Sequence, residues 1–271
     1  MLRIISLGAG VQSSAMFLMA CQGILTPKPD AAVFADTQWE PKNVYRQLTY
    51  LAGIGAIHDI PIIQATKGNI REDMLRASVR GTHAEGKRSA SMPLYTSDGV
   101  NIGMIRRQCT KEYKIEVVEK ETRRLLGLKP RQRAGLNSAE MWIGISTDEA
   151  ARMRDARSRW YSHRYPLIFD KQMSRTDCAL WLIDNGHPLP HKSACRGCPY
   201  RSDAEWRAIK EDPEEWADVI EFDEGIRNRG GHRGKLYLHR SCKPLSEVDL
   251  STAEERGQLN WINECEGMCG V

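Results

Sequence analysis

The stretch LRIISLGAGVQSSAMFLMACQG, residues 2–23, decides the fold. LRIISL is a short apolar run that reads as a strand. SSAMFLMACQ carries its apolar residues at helical spacing and stops at Gly23. Between them, Gly8, Gly10, Gln12, Ser13 and Ser14 fill a small polar turn. A strand, a glycine turn and a helix are the first half of a βαβ unit. At such a turn, glycines let the backbone approach a ligand, and the first amides of the helix point at anions. The hydroxyls of Ser13 and Ser14 can add donors to phosphate oxygens. A tight turn with an N-capping serine would read the same way. The P-loop pattern GxxxxGK[ST] is absent.

Working outward, the alternation continues. AAVFAD (31–36) is a second apolar run, stopped by Asp36, and NVYRQLTYLAGI (43–54) is amphipathic. IPIIQA (60–65) is a third strand, and NIREDMLRASV (69–79) reads as a helix. Strands separated by helices of about a dozen residues predict an α/β fold with a parallel sheet. Residues 80–104 lose periodicity and read as a lid or flexible loop. A helix follows from about Cys109 to Leu126. MWIGIS (141–146) reads as the fourth strand and YPLIF (165–169) as the fifth. SRTDCALWLIDNG (174–186) predicts a helix with Ser174 or Thr176 at its N-cap and Gly186 as its stop. The chain then changes character, with a Cys/Pro/Gly loop, two Trp-bearing amphipathic helices and the ending ECEGMCGV. The expected domains are therefore 1–186, a nucleotide-binding α/β domain whose 80–105 segment is the lid, and 187–271, a Cys-rich helical region.

Hydrophobic content of 41% with 27% charged residues is that of a soluble globular chain. No apolar run reaches membrane-span length and no secretion signal precedes the first strand, so a cytoplasmic location without a membrane partner is expected. A net charge of +4 leans mildly towards an anionic substrate. The basic residues are clustered in RRQCTKEYK (106–114), RRLLGLKPRQR (123–133), RMRDARSR (152–159) and RNRGGHRGK (227–235). Solvated faces would give the same clusters.

Of eight cysteines, Cys21 and Cys178 sit in apolar helix patterns and read as core. The other six lie in polar, Gly- or Pro-rich surroundings, where metal ligands and reactive thiols occur. Cys195 and Cys198 form one CxxC, which zinc, an iron–sulfur cluster or a dithiol can use. Zinc would draw two further ligands from Cys109, His191, His239 and Cys242. Cys265 and Cys269, within seven residues of the end, could supply a swinging nucleophile. Asp36-Thr37 ends the second strand, where contact with a nucleotide or a strand-terminating Asx turn are both open. GISTDEAARMR (144–154) ends the fourth. There Asp148 and Glu149 open a helix and Arg152 follows, so helix capping and a Mg²⁺-phosphate site are both open.

Taken in order, these blocks resemble the phosphoadenylylsulfate reductase-like branch of the PP-loop, or adenine nucleotide α-hydrolase, superfamily. The usual loop SGGxDS is occupied by Gly8 to Ser14, with Gly8 for the serine and Gln12 for the aspartate. FADTQWEP is similar to the "DTG…PET" block through Asp36, Thr37, Glu40 and Pro41. CTKEYKI resembles "C…RKI" through Cys109 and Lys114. WIGISTDEAARM resembles "GIRxDES…R" through Gly144, Asp148, Glu149 and Arg152. KSACRGCPY resembles the CxxC of thiolating members, and NECEGMCG the reductase ECG tail. The chain looks most like the short members found in phages and bacterial mobile islands.

The resemblance implies a five-stranded parallel sheet of order 3-2-1-4-5, with an adenine nucleotide over the first turn. Its nucleotide contacts would be Ser6, Gly8, Gly10, Gln12, Ser13, Ser14, Asp36, Thr37, Gly144, Glu149 and Arg152. It implies a [4Fe–4S] cluster on Cys109, Cys195 and Cys198, with Cys242 as a possible fourth ligand, and Mg²⁺ near Asp148 or Glu149. The expected activity is an ATP-dependent sulfurtransferase that adenylylates and thiolates an RNA, DNA or nucleotide acceptor. Catalytic groups would come from Asp36, Asp148, Cys265 and Cys269. Two alternatives stand beside it: a thiol-dependent reductase of an adenylylated sulfate, releasing sulfite, and a zinc-stapled nucleic-acid binding module. Implied partners are an adenine nucleotide, a nucleic-acid acceptor and a sulfur donor or thiol reductant, and a homodimer is allowed.

Overall fold

The computed structural model describes residues 1–76, 92–228, 234–252 and 255. In chain order the elements are β1 (Leu2–Leu7), α1 (Val11–Cys21), β2 (Ala31–Asp36), α2 (Lys42–Ile57), β3 (Ile62–Thr66) and α3 (Ile70–Arg76). Next come β4 (Tyr95–Ser97), β5 (Ile102–Met104), a π-helical turn over Thr110–Ile115, α4 (Glu116–Leu125), β6 (Ala139–Ile143) and a 3₁₀ turn over Thr147–Arg152. The remainder is β7 (Tyr161–Arg164), α5 (Pro166–Phe169), α6 (Arg175–Asp184), α7 (Asp203–Lys210), α8 (Pro213–Ile226), β8 (Lys235–Tyr237) and a 3₁₀ turn over Leu245–Glu247.

The chain divides into two compact units, one comprising 1–93 and 106–196, the other 94–105 and 197–271. The first is built on a five-stranded sheet of order β3-β2-β1-β6-β7. Every pairing in it is parallel, with Ile4 opposite Ala31 and Met141. This is the expected α/β sheet and the expected strand order. Its inner strands are packed on both faces. Ile5, Leu7, Ala32, Phe34 and Trp142 pack with α1, α2 and α6 on one side. Ile4, Val33, Met141 and Tyr161 pack with Val117 and Val118 of α4 on the other. Burial on both faces is why AAVFAD reads as an unbroken apolar run rather than an alternating one.

The fifth strand is not YPLIF. Pro166 starts the short helix α5 instead, as proline suits a first helical position. The strand is the preceding segment Tyr161–Arg164, whose tyrosine and histidine mask it in an apolarity scan. The Cys109–Leu126 helix is present, but its first turn is π-helical over Thr110–Ile115. At α6, Ser174 rather than Thr176 is the N-cap, in a capping box with Asp177. Cys21 and Cys178 are core residues, and burial pushes their thiols up to about 11 and about 12.

The second unit contains a three-stranded antiparallel sheet of order β5-β4-β8. Two of its strands come from the segment read as a lid, so residues 92–104 are not loop throughout. Residues 77–91 of that segment lie outside the described residues. In the second unit the buried Asp223 accepts from Leu238 N (2.9 Å) and Leu245 N (3.0 Å) and pairs with Arg227. It thereby ties α8 to the chain on either side of Cys242.

Candidate functional site

The strands of the first sheet run parallel, so the loops after β1, β2 and β6 share one edge. The strand order reverses between β1 and β6, and the crevice beyond such a switch point is where open α/β sheets bind ligands. Helix α1 starts here at Gly10, and no side chain caps it. Its first amides therefore take no side-chain cap, and helix starts of this kind are able to bind anions. Ala9 holds φ = 55°, the left-handed region, between the two glycines. Strain of this kind in a non-glycine residue collects at functional loops.

The two serines have different duties. Ser13 Oγ accepts from Gly8 N (3.2 Å) and donates to Gly10 O (3.3 Å), folding the loop on itself. Ser14 is buried, and its Oγ accepts from Gln47 Nε2 at 3.3 Å, behind the loop. Both hydroxyls are thus engaged within the protein in this structure. Gly144 explains the close fit of the neighbouring strand end. A Cβ there would sit 3.0 Å from Ser13 Cα and 3.1 Å from Ser13 N. Ser6 lies within β1, between Val33 and Ile143.

Gln12 is buried and bridges the switch point. Its Nε2 donates to Ser146 Oγ (3.3 Å) and Glu149 Oε2 (3.0 Å), and its Oε1 accepts from Arg175 Nη1 (3.4 Å). Glu149 also pairs with Arg152, and Asp148 accepts from Arg175 N at 2.9 Å. The Ser146 hydroxyl, with Arg175 after it, holds the Asp148 carboxyl below its ordinary range. The structure thus gathers Gln12, Asp148, Glu149 and Arg152 around two residues the sequence reading did not single out, Ser146 and Arg175.

The β2 end forms a second cluster. Asp36 is buried and accepts from Gln38 N (2.7 Å), Tyr45 Oη (2.9 Å) and Gln64 Nε2 (2.6 Å). The first forms an Asx turn; the first two share Oδ1 and the third is on Oδ2. Beside it stands Glu40, with 1% of its surface exposed. Its Oε1 accepts from Thr37 Oγ1 (2.9 Å) and Cys195 Sγ (3.8 Å) and lies 3.9 Å from Lys114 Nζ. Its Oε2 has no hydrogen-bond partner among the described residues.

The first half of the CxxC is pinned against these loops. Ser193 Oγ donates to Gly8 O, Cys195 to Glu40, and Arg196 N to Trp39 O at 2.7 Å. Cys109 caps the π turn in the same unit. Cys198 and Cys242 belong to the second unit, where both bear on the Tyr95 phenol, whose pKa is raised chiefly by burial. Cys242 has φ = 51° and its Sγ reaches Thr96 O at 3.9 Å. His239, a zinc candidate, is instead buried between Asp203 Oδ1 (3.0 Å) and Ser241 Oγ (2.8 Å). Among the described residues no three His, Cys, Asp or Glu side chains form a metal-holding group. Cys265 and Cys269 lie outside the described residues. No described helix is long and apolar enough to cross a membrane. No protein-family model and no curated protein matches the chain.

Proposed function

We propose that the chain is an ATP-dependent sulfurtransferase that adenylylates, then thiolates, a nucleic acid or nucleotide. The observation that carries this reading is the side-chain-uncapped start of α1 at the switch point, flanked by the Gln12–Ser146–Glu149–Arg175 network. In this reading the α1 amides hold the β- and γ-phosphates of ATP, where fixed dipoles stabilise the charge that develops on the leaving pyrophosphate. A carbonyl oxygen of the acceptor attacks the α-phosphorus. A sulfur nucleophile then displaces AMP. Asp148, Glu149 and Arg152 stand at the same sheet edge, where carboxylates can hold Mg²⁺ and the guanidinium can meet a phosphate.

Cys109, Cys195 and Cys198, with Cys242 as an optional fourth, are all-thiol donors, whose softness suits iron–sulfur chemistry and also zinc. A [4Fe–4S] cluster held by them would supply sulfide or electrons. The Cys195 thiol is directed at Glu40 in this structure. The reading is tested anaerobically with radiolabelled ATP, sulfide and total RNA or DNA. AMP, pyrophosphate and acceptor-bound sulfur are expected in equal amounts. Sulfite release from adenylylsulfate without ATP turnover would instead establish the reductase, which Gln12 in place of an acidic residue favours. Iron and absorbance near 400 nm after anaerobic purification are expected. Zinc in a colourless protein would remove the cluster and favour the stapled binding module. Cys195→Ala should lose the iron, while Cys269→Ala should keep it.

A further inference from the structure

The segment RMRDARSR follows the 3₁₀ turn and returns towards the start of β7, over the side chains of Tyr161 and Tyr165. Tyr165 Oη donates to Arg154 O (2.6 Å) and accepts from Arg154 N (3.0 Å) at one end. Tyr161 Oη accepts from Arg157 N (3.3 Å) midway, while donating to Glu119 at 2.6 Å. At the far end Ser138 N donates to Trp160 O (2.7 Å) and Asn137 N to Arg159 O (3.1 Å). A chain strapped at three points beside a strand leaves a cavity of about 360 Å³, lined by Arg154, Arg157, Arg159, Tyr161, His163 and Tyr165.

The charge in this cavity is unbalanced. Arg154 spends its guanidinium on Ala151 O and Met153 O. Arg157 and Arg159 are exposed, and their side chains make no ion pair or hydrogen bond among the described residues. Asp155 is the one acidic side chain in the lining. His163 Nδ1 is turned to Arg154 O (2.8 Å), leaving Nε2 as its free edge. The cationic surface continues past Arg159. The loop after α4 adjoins it through Asn137 and exposes Lys129, Arg131 and Arg133. That loop is held by Arg123, which donates to Gln132 O and lies over the Trp160 ring.

We infer that this flank binds the phosphodiester backbone of a nucleic acid, as a site separate from the crevice at Gly8–Ser14. A small phosphate needs only the cavity. A polyanion also uses the row Lys129, Arg131 and Arg133, which no acidic partner neutralises among the described residues. Backbone contacts position a nucleic acid without reading its sequence, and exposed arginines on a surface can do that without entering a groove. The inference goes beyond the proposed activity, and its test contains no ATP, so either can fail alone.

The test is fluorescence anisotropy with labelled 20-nucleotide single-stranded RNA and DNA of mixed sequence, titrated from about 0.05 to 0.5 M salt. Each phosphate contact on a single strand contributes about 0.7 to the log–log salt slope. Losing two contacts in R157A/R159A should flatten the slope by about 1.4 and weaken binding about 25-fold at 0.1 M salt. R157K/R159K keeps the charges and should stay within about threefold of wild type. K28A/R46A removes equal charge elsewhere in the same unit and should also stay within that range. The inference is overturned if wild type binds neither oligonucleotide or if R157A/R159A binds like wild type. Equal loss in K28A/R46A, or displacement of the oligonucleotide by 1 mM pyrophosphate, overturns it too. The RNA and DNA arms identify which backbone is preferred.

Discussion

Gly144→Ala adds one methyl group where the end of β6 meets the start of α1. The new Cβ would lie 3.0 Å from Ser13 Cα, 3.1 Å from Ser13 N and 3.3 Å from Ser13 Cβ. Carbon atoms in good contact stand at roughly 3.5 Å or more, so the two backbones must part by about 0.5 Å. No flexible side chain tip can move aside. Overpacking of this kind costs about 1–3 kcal/mol, and about 2 kcal/mol lowers Tm by roughly 4–8 °C in a domain of this size. The same shift lengthens any hydrogen bond from Ser13 N to a bound phosphate from about 2.9 to about 3.4 Å. Loss of one charge-assisted bond costs about 1.5–3 kcal/mol, so ATP should bind about 10- to 100-fold more weakly. Gly53→Ala is the control. It is the same chemical change in the exposed middle of α2, where a Cβ meets nothing within 4 Å. That variant should gain about 0.5–1 kcal/mol, because alanine restricts the unfolded chain and favours helix. Scanning calorimetry and ATP titration calorimetry measure both effects. If Gly144→Ala melts with wild type, the close packing is refuted. If it melts early but binds ATP normally, the placement of phosphate on the α1 amides is refuted.

Gln12→Ala removes the bridge between Ser146, Glu149 and Arg175. With one bond to a carboxylate at 3.0 Å and two longer ones, the loss should be about 2 kcal/mol in urea unfolding, with weaker ATP binding. An unchanged urea midpoint would show that the network adds no stability. The Cys178 thiol, raised by burial to about 12, predicts an alkaline effect. Its folded pKa lies above its unfolded value of 9.0, so the stability it contributes is complete below pH 9 and is lost as pH rises towards 12. The fall is at most about 1.4 kcal/mol per pH unit for one proton. Urea midpoints between pH 8 and 11 should decline less steeply in Cys178→Ala than in wild type, and parallel curves would contradict the assignment.

The α/β architecture was legible because burial of the inner strands on both faces writes itself as short apolar runs. Strand order was legible only through the resemblance of several loops taken together. The fifth strand was misplaced because Tyr161–Arg164 is an edge strand with polar side chains, whereas YPLIF is apolar yet begins with a helix-starting proline. Gln12, Asp148, Glu149 and Arg152 could be picked out because parallel strands deliver their following loops to one edge. Ser146 and Arg175 could not. Neither belongs to a recognisable motif, and Arg175 reaches Gln12 across 163 residues only because α6 packs on α1. A basic run such as RMRDARSR likewise reads as a solvated face until hydrogen bonds from its backbone to Tyr161 and Tyr165 show that it lines a cavity.

The alternation of strands and helices, the glycine turn after β1 and the core roles of Cys21 and Cys178 are local properties, since each depends on neighbours a few residues away. Tertiary structure alone decided that Ser14 turns inward to Gln47, that Gly144 must lack a side chain, and that Cys195 meets a buried Glu40 with a spare oxygen. Those facts depend on which distant segments the sheet brings into contact, and the spacing of residues along a chain carries no record of that.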